Sequence, residues 1–332
     1  MARYFENSSD ALVSDALEGF ALVHDDLITF DPQHGFLLAR HTAPSRRVAL
    51  VSGGGAGHEP MHAGYVGRGM LDAACPGRVF ASPHNRQVYE GSRAAARPEG
   101  VLHIVKNYTG DRINFGIAAE RLARCDIPCA RVLISDDLAS DADGIASGRR
   151  GTGGTVLIEK LLGAAADDGL GLAELQELGE RLSARCRTLA VASAAHTAPT
   201  LGEPAFHLGA DEIEYGVGIH GERASATARQ GPLDALIDRM SEELIAALDP
   251  EPGSTLLTLV NGLGAVTPLE LYAIHREFSR VLGRHGLSPA RTLVGDYVTA
   301  LDMRGFSLTL LVADPSDLPF YDAPVHTAAL RW

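Results

Sequence analysis

The sequence predicts an α/β fold, with two α/β domains, each a mixed sheet covered by helices. Three observations predict it. Apolar runs of strand length alternate with helical periods from end to end. The length, 332 residues, exceeds what one core usually serves and points to two domains. Glycine-rich turns follow strand-like runs, and the mouths of such strands are where open α/β sheets bind ligands.

Strand-like runs fall at 47–51, 101–105, 131–134, 188–192, 256–260, 291–294 and 306–312. Helical periods fall between them at 115–125, 155–166, 172–186, 233–248 and 268–285. The glycine-rich segment 148–154 reads as a tight loop feeding the helix that starts near Thr155. The domain change is placed near residues 180–190, around the end of the helix over 172–186, and the domains are taken as 1–183 and 184–332. No Pro/Ser linker marks it. There is no internal repeat and no low-complexity tract.

Composition narrows the function classes. Hydrophobic residues make up 45% and charged residues 21%, as in ordinary globular proteins. The net charge is −13 and no Lys/Arg-rich run occurs, which argues against a nucleic-acid partner, since that needs a basic footprint. No apolar stretch is long enough to span a bilayer. The opening MARYFENSSDALVSD lacks a basic-then-apolar leader pattern. Cys75, Cys125, Cys129 and Cys186 form no CxxC pair. A cytoplasmic chain with reduced, buried thiols is the expectation.

The strongest local signal is Val51-Ser-Gly-Gly-Gly-Ala-Gly-His58-Glu-Pro. Here a strand runs into glycines that let backbone N–H groups approach a ligand, then into His58. The plain alternative is a structural turn. The letters His58-Glu-Pro-Met-His62 also match HExxH, but Pro60 biases Glu59 away from the α region, so both histidines cannot share one helix face. His62 is then expected to be an ordinary helix residue, and no metal is assigned. A P-loop with GxxxxGK[ST] is absent. Gly216-Val-Gly-Ile-His220-Gly221 satisfies GxGxxG without a helix start behind it. Its notable residue is His220, for which an exposed loop histidine is the plain alternative. Lys106-Asn-Tyr-Thr-Gly-Asp111 puts a cation and a carboxylate at a strand's carboxyl end, before a helix expected near Asn114. A capping Asp or a routine ion pair would account for it equally. Two histidines, an aspartate and a lysine at turns after strands suit acid–base work on a small polar ligand.

These segments carry a family resemblance. The stretches from Ser52 to Pro83, Lys106-NYTGD, Gly148-RRGTGGTVLIEKLLGAAA, Glu214-YGVGIHGE, Val260-NGLGAVTPLELY and Ala323-PVHTAAL-Arg-Trp together resemble the K subunit of dihydroxyacetone kinases along nearly the whole chain. The resemblance implies two α/β domains in a homodimer, serving glycerol metabolism. It implies that His220 adds to a ketose carbonyl as a hemiaminal, that Asp111 is the base for the attacking hydroxyl, and that His58 hydrogen-bonds the substrate. Gly55, Ser82 and Lys106 match positions lining the pocket. It implies no cofactor in this chain, which ends at Trp332 where the K region ends. Mg-ADP or Mg-ATP is expected on an L-type partner subunit.

The sequence departs from the family pattern at Arg223-Ala-Ser after the GIHGE stretch, at the extra Val266, and at His84-Asn-Arg86. These departures leave open a four-carbon or substituted ketose. A second reading is a non-catalytic, ligand-sensing co-regulator of the same family; His220, Asp111 and His58 occurring together favour the enzyme.

Overall fold

The computed structural model describes residues 4–140, 148–200, 202–223 and 227–332. Two compact units emerge. The first comprises Tyr4–Ile134, Thr155–Arg181 and Asp317–Trp332; the second comprises Ser135–Gly154 and Leu182–Ser316. This differs from the two contiguous ranges, 1–183 and 184–332, because two segments change sides. Buried Asp136 accepts hydrogen bonds from Thr152, Gly154 and Thr188, which ties the glycine-rich loop into the second unit. Lys160 donates to the Phe320 carbonyl at 2.6 Å and Arg181 pairs with Asp317 at 2.7 Å, which ties the last segment into the first.

The first unit contains β1 (Ile28–Asp31), β2 (Phe36–Ala39), β3 (Ala49–Ala56), β4 (Ala73–Val79), β5 (Val101–Lys106) and β6 (Cys129–Ile134). They form one sheet, ordered β1-β2-β4-β3-β5-β6. The last four of these are parallel, while β1 and β2 add an antiparallel edge. Its helices are α1 (Leu12–Val23), α2 (Asn85–Ala95), α3 (Thr109–Ala123), α4 (Gly154–Asp167) and α5 (Leu172–Ala184). All of β3 is buried, as a parallel strand covered on both faces should be. Val88 of α2 and Phe115 and Ala118 of α3 pack with Val51, Val101 and Val105 of the sheet. From β3 the chain goes to β4 on one side and later to β5 on the other. This makes the carboxyl end of β3 a topological switch point, where such sheets bind ligands.

The second unit contains β7 (Cys186–Ala194), β8 (Glu212–Tyr215), β9 (Thr227–Arg229), β10 (Thr255–Gly262), β11 (Pro289–Gly295) and β12 (Arg304–Ala313), with α6 (Leu233–Leu248) and α7 (Pro268–Arg284). Its sheet, ordered β11-β10-β12-β7-β8-β9, is parallel only between β10 and β11. Alternate residues Phe306, Leu308, Leu310 and Val312 of β12 share one core with Ile237, Met240 and Leu244 of α6 and Leu271, Ile274 and Phe278 of α7. Burying each such side chain contributes roughly 1.5–3 kcal/mol. Helix α7 starts sharply because Thr267 and Glu270 cap each other's backbone N–H groups and Pro268 occupies its first turn.

Three expectations need correction. The helix expected over 172–186 stops at Ala184, because Cys186 opens β7 and pairs with Leu311. The helix expected near Asn114 begins at Thr109, so Asp111 lies in its first turn. Of the four thiols expected to be buried, Cys75 and Cys186 are, Cys129 is half-buried, and Cys125 is exposed in the turn after α3. All four are free. Among the described residues no helix is long and apolar enough to cross a membrane.

Candidate active site

Five of the six site residues singled out in the sequence lie in the first unit, at the carboxyl ends of β3, β4 and β5. The end of β3 passes so close to its neighbours that side chains are excluded. A Cβ on Gly54 would sit 2.2 Å from Lys106 Nζ, and one on Gly55 would sit 2.7 Å from the Ala81 nitrogen. Phe80, beside Gly55, has φ of 54°, a left-handed conformation that costs a side-chain-bearing residue about 1–2 kcal/mol. Such strain gathers at ligand sites. His58 follows β3, is fully buried, and packs its ring on Phe80 with centroids 5.1 Å apart. Ser82 faces Gly110 in the first turn of α3 and, with His84, lines a cleft of about 440 Å³.

Lys106 ends β5 and is 1% exposed; Asp111 is 3% exposed. Tyr108 occupies the N-cap of α3 with no side-chain cap bond, so Asp111 is not the capping residue. Its Oδ1 is buried without a hydrogen-bond partner among the described residues. A buried carboxylate oxygen left so is expensive unless a ligand completes it. It stands where a hydroxyl donor would be accepted.

His62 is not the ordinary helix residue the sequence suggested. Residues 57–62 form bends and turns ahead of a short 3₁₀ segment, Ala63–Tyr65, so the helix that HExxH zinc binding requires is absent. His62 Nε2 lies 2.7 Å from Lys106 Nζ. Its Nδ1 lies 2.7 Å from Glu159 Oε1 and 3.0 Å from Ser52 Oγ. Burial lowers the proton affinity of the ring, and the Lys106 charge lowers it further, against the pull of Glu159. Burial also lowers Lys106, opposed by Asp111 and Glu159. Sequence reasoning missed Glu159. The available signal was Glu159-Lys160 within the otherwise apolar TVLIEKLLGAAA, since charges in an all-apolar helix must be paired inside.

The sixth residue, His220, belongs to the second unit. It sits in the turn that follows β8, with its side chain 20% exposed. Glu222 accepts from the His220 backbone N–H at 2.9 Å and lies 3.0 Å from His220 Nδ1. With Nδ1–H donated to the carboxylate, the ring's lone pair lies on Nε2. Burial pushes Glu222 up, but the His220 hydrogen bond and charge and the Arg150 guanidinium outweigh it and hold its carboxyl at about 2. Arg150 is itself anchored to Asp137 at 2.6 Å. A histidine oriented by a permanent carboxylate can act as a nucleophile or base through Nε2.

The departures find local explanations. Arg223 pairs with buried Glu214 at 3.0 Å; Ala224 and Ser225 lie outside the described residues. Val266 is 9% exposed in the second unit's core. His84 caps α2 by accepting from the Arg86 backbone N–H at 3.1 Å. Among the described residues no three His, Cys, Asp or Glu side chains are grouped to hold a metal ion.

The Dak1 domain family matches residues 18–329. The chain is 43% identical over 324 residues to a Listeria innocua protein named PTS-dependent dihydroxyacetone kinase 1, dihydroxyacetone-binding subunit DhaK, spanning 97% of this chain and 98% of that one. The solved structure of a dihydroxyacetone kinase operon co-activator, Dha-DhaQ, superposes with a TM-score of 0.90 at 33% identity, over 95% of this chain and 97% of that one. The native dihydroxyacetone kinase of C. freundii superposes with a TM-score of 0.89 at 34% identity, over 100% of this chain and 60% of that one.

Proposed function

We propose that this chain, which belongs to the Dak1 domain family, is the ketose-binding subunit of a dihydroxyacetone-type kinase. The observation that carries the reading is the buried Oδ1 of Asp111, without a hydrogen-bond partner among the described residues, in the same strand-end cluster as Lys106, at the switch point of the first unit's sheet. The likeness to a dihydroxyacetone-binding subunit over nearly the full length supports it.

In this reading His220 Nε2 adds to the carbonyl carbon of a short ketose. A C–N bond forms, the C=O π bond opens, the oxygen takes a proton from solvent, and the ring releases its Nδ1 proton past Glu222 to solvent, giving a neutral hemiaminal. A polyol has no carbonyl and is refused. Lys106 donates to a ketose oxygen, His58 hydrogen-bonds the substrate, and Ser82 and the bare backbone at Gly55 complete the lining. Asp111 removes the proton of the attacking hydroxyl. The phosphoryl donor, a magnesium-bound nucleotide, is held by an L-type partner subunit, and this chain works as a cytoplasmic homodimer. Phosphoryl transfer depends chiefly on positioning, which is what a covalently held ketose supplies.

Native mass measurement with dihydroxyacetone tests the assignment. The chain should gain the mass of one ketose, His220→Ala should lose that gain, and Asp111→Asn should keep it. Turnover of Asp111→Asn with an L-type partner should fall about 10²–10⁴-fold. Capture lost in Asp111→Asn with turnover intact would reverse the roles. A second reading, a ligand-sensing co-activator, is favoured by the close superposition on Dha-DhaQ. It predicts ketose capture without phosphoryl transfer in the presence of any L-type partner.

A further inference from the structure

The cluster behind Lys106 has a definite proton arrangement. Ser52 Oγ donates its only proton to the Ile104 carbonyl at 2.8 Å, so toward His62 it can only accept. The Glu159 carboxylate also accepts. Both neighbours therefore require the proton on His62 Nδ1, which leaves the lone pair on Nε2, where Lys106 Nζ donates at 2.7 Å. Glu159, His62 and Ser52 are each at most 4% exposed, so these positions are shielded from bulk solvent. The ammonium also lies close against Gly54, where a Cβ would sit 2.2 Å from Nζ.

Residue usage points the same way. Of 29 lysines and arginines, only Lys106 and Lys160 are lysines. The chain uses arginine wherever a surface cation is wanted. At position 106 it places a lysine, whose charge depends on its surroundings, since arginine stays charged everywhere and would present a fork rather than a single point.

We propose that Glu159 and His62 are positioning residues that fix Lys106 Nζ against the substrate loop and keep it an ammonium, ready to donate to a ketose oxygen. The assignment rests on the ketose-binding reading for its purpose, though not for its geometry. The titratable groups facing Lys106 are His62 after β3, Asp111 on α3 and Glu159 on α4. Glu159 favours the charged lysine across the neutral ring. Replacing Glu159 by Gln retains an acceptor for Nδ1–H and removes the charge, so the ammonium should be lost at lower pH.

The test uses the full chain with isotope-labelled lysine, which gives two side-chain signals, with Lys160→Arg identifying the one from Lys106. In Glu159→Gln the Lys106 titration midpoint should drop by about one pH unit, a roughly 10-fold weaker hold on the proton. The alkaline limb of dihydroxyacetone binding, followed by calorimetry, should move down with it. An unmoved Lys106 midpoint would overturn the proposal. Ring-nitrogen NMR of the unaltered chain is the second measurement, should the variant not fold. His62 protonated at Nδ1 supports the arrangement, and His62 protonated at Nε2 overturns it. A shifted midpoint in a chain that captures no ketose at any pH would uphold the positioning pair and remove the ketose reading instead.

Discussion

Each unit holds a histidine–carboxylate pair made through Nδ1, and the two pairs differ in almost everything else. His220 and Glu222 are two residues apart in one turn, 3.0 Å between ring and carboxylate, with side chains 20% and 33% exposed. His62 and Glu159 come from distant parts of the sequence, 2.7 Å apart and at most 3% exposed. In the first pair the carboxylate stays charged at any ordinary pH and directs the lone pair to Nε2 of a ring that solvent reaches. In the second, the lone pair on Nε2 is already engaged by Lys106. The same two functional groups orient a partly exposed ring in one place and hold a ring against a buried lysine in the other. Which one results is decided by what faces Nε2.

The largest expected effect that could break this contrast is on ketose capture. At saturating dihydroxyacetone His220→Ala should abolish the mass gain, whereas His62→Ala should retain it with weakened affinity. Capture that survives the first substitution and fails in the second would invert the comparison. The next effect is on stability. Glu159→Ala leaves a buried ring N–H and a buried ammonium without their carboxylate and should cost about 3–5 kcal/mol in urea unfolding. Glu222→Ala, at a partly exposed pair, should cost about 1 kcal/mol. Equal losses would erase the distinction. The smallest effect is on pH dependence. Glu222 titrates at about 2 when folded, against 4.5 ordinarily, so its contribution is complete above about 4.5 and fades as the pH falls toward 2. Glu222→Gln should flatten the unfolding curve in that acid window and leave its shape at neutral pH intact.

Much of the architecture could be read from the chain, for reasons that also explain what could not. The runs at 47–51, 101–105 and 306–312 are strands because continuous or alternating apolar residues leave little else; the last two lie within observed strands, and the first enters β3 from two residues ahead of it. Strand β4 was hidden by Pro76, which normally argues against a central strand. It is tolerated because β2 pairs only with Ala73 and Ala74, so no ladder partner on that side needs the missing N–H. Helix α2 was hidden by its polar composition and Gly91, a residue that packs against Cys75 and Phe36 where a side chain would collide. In the site, Asp111 and Lys106 were visible because they follow a strand within one short motif. Glu159 was not, since nothing local ties an acid in α4 to a turn after β3; only the fold brings them to 2.7 Å.

The concealment of both lysines has a practical corollary for handling the protein. Lys106 and Lys160 are each 1% exposed, so the folded surface offers no lysine amine to acylating dyes, amine crosslinkers or aldehyde fixatives. Attachment at either lysine would report that the first unit had opened. Conjugation to the intact fold is better directed at the exposed thiol of Cys125.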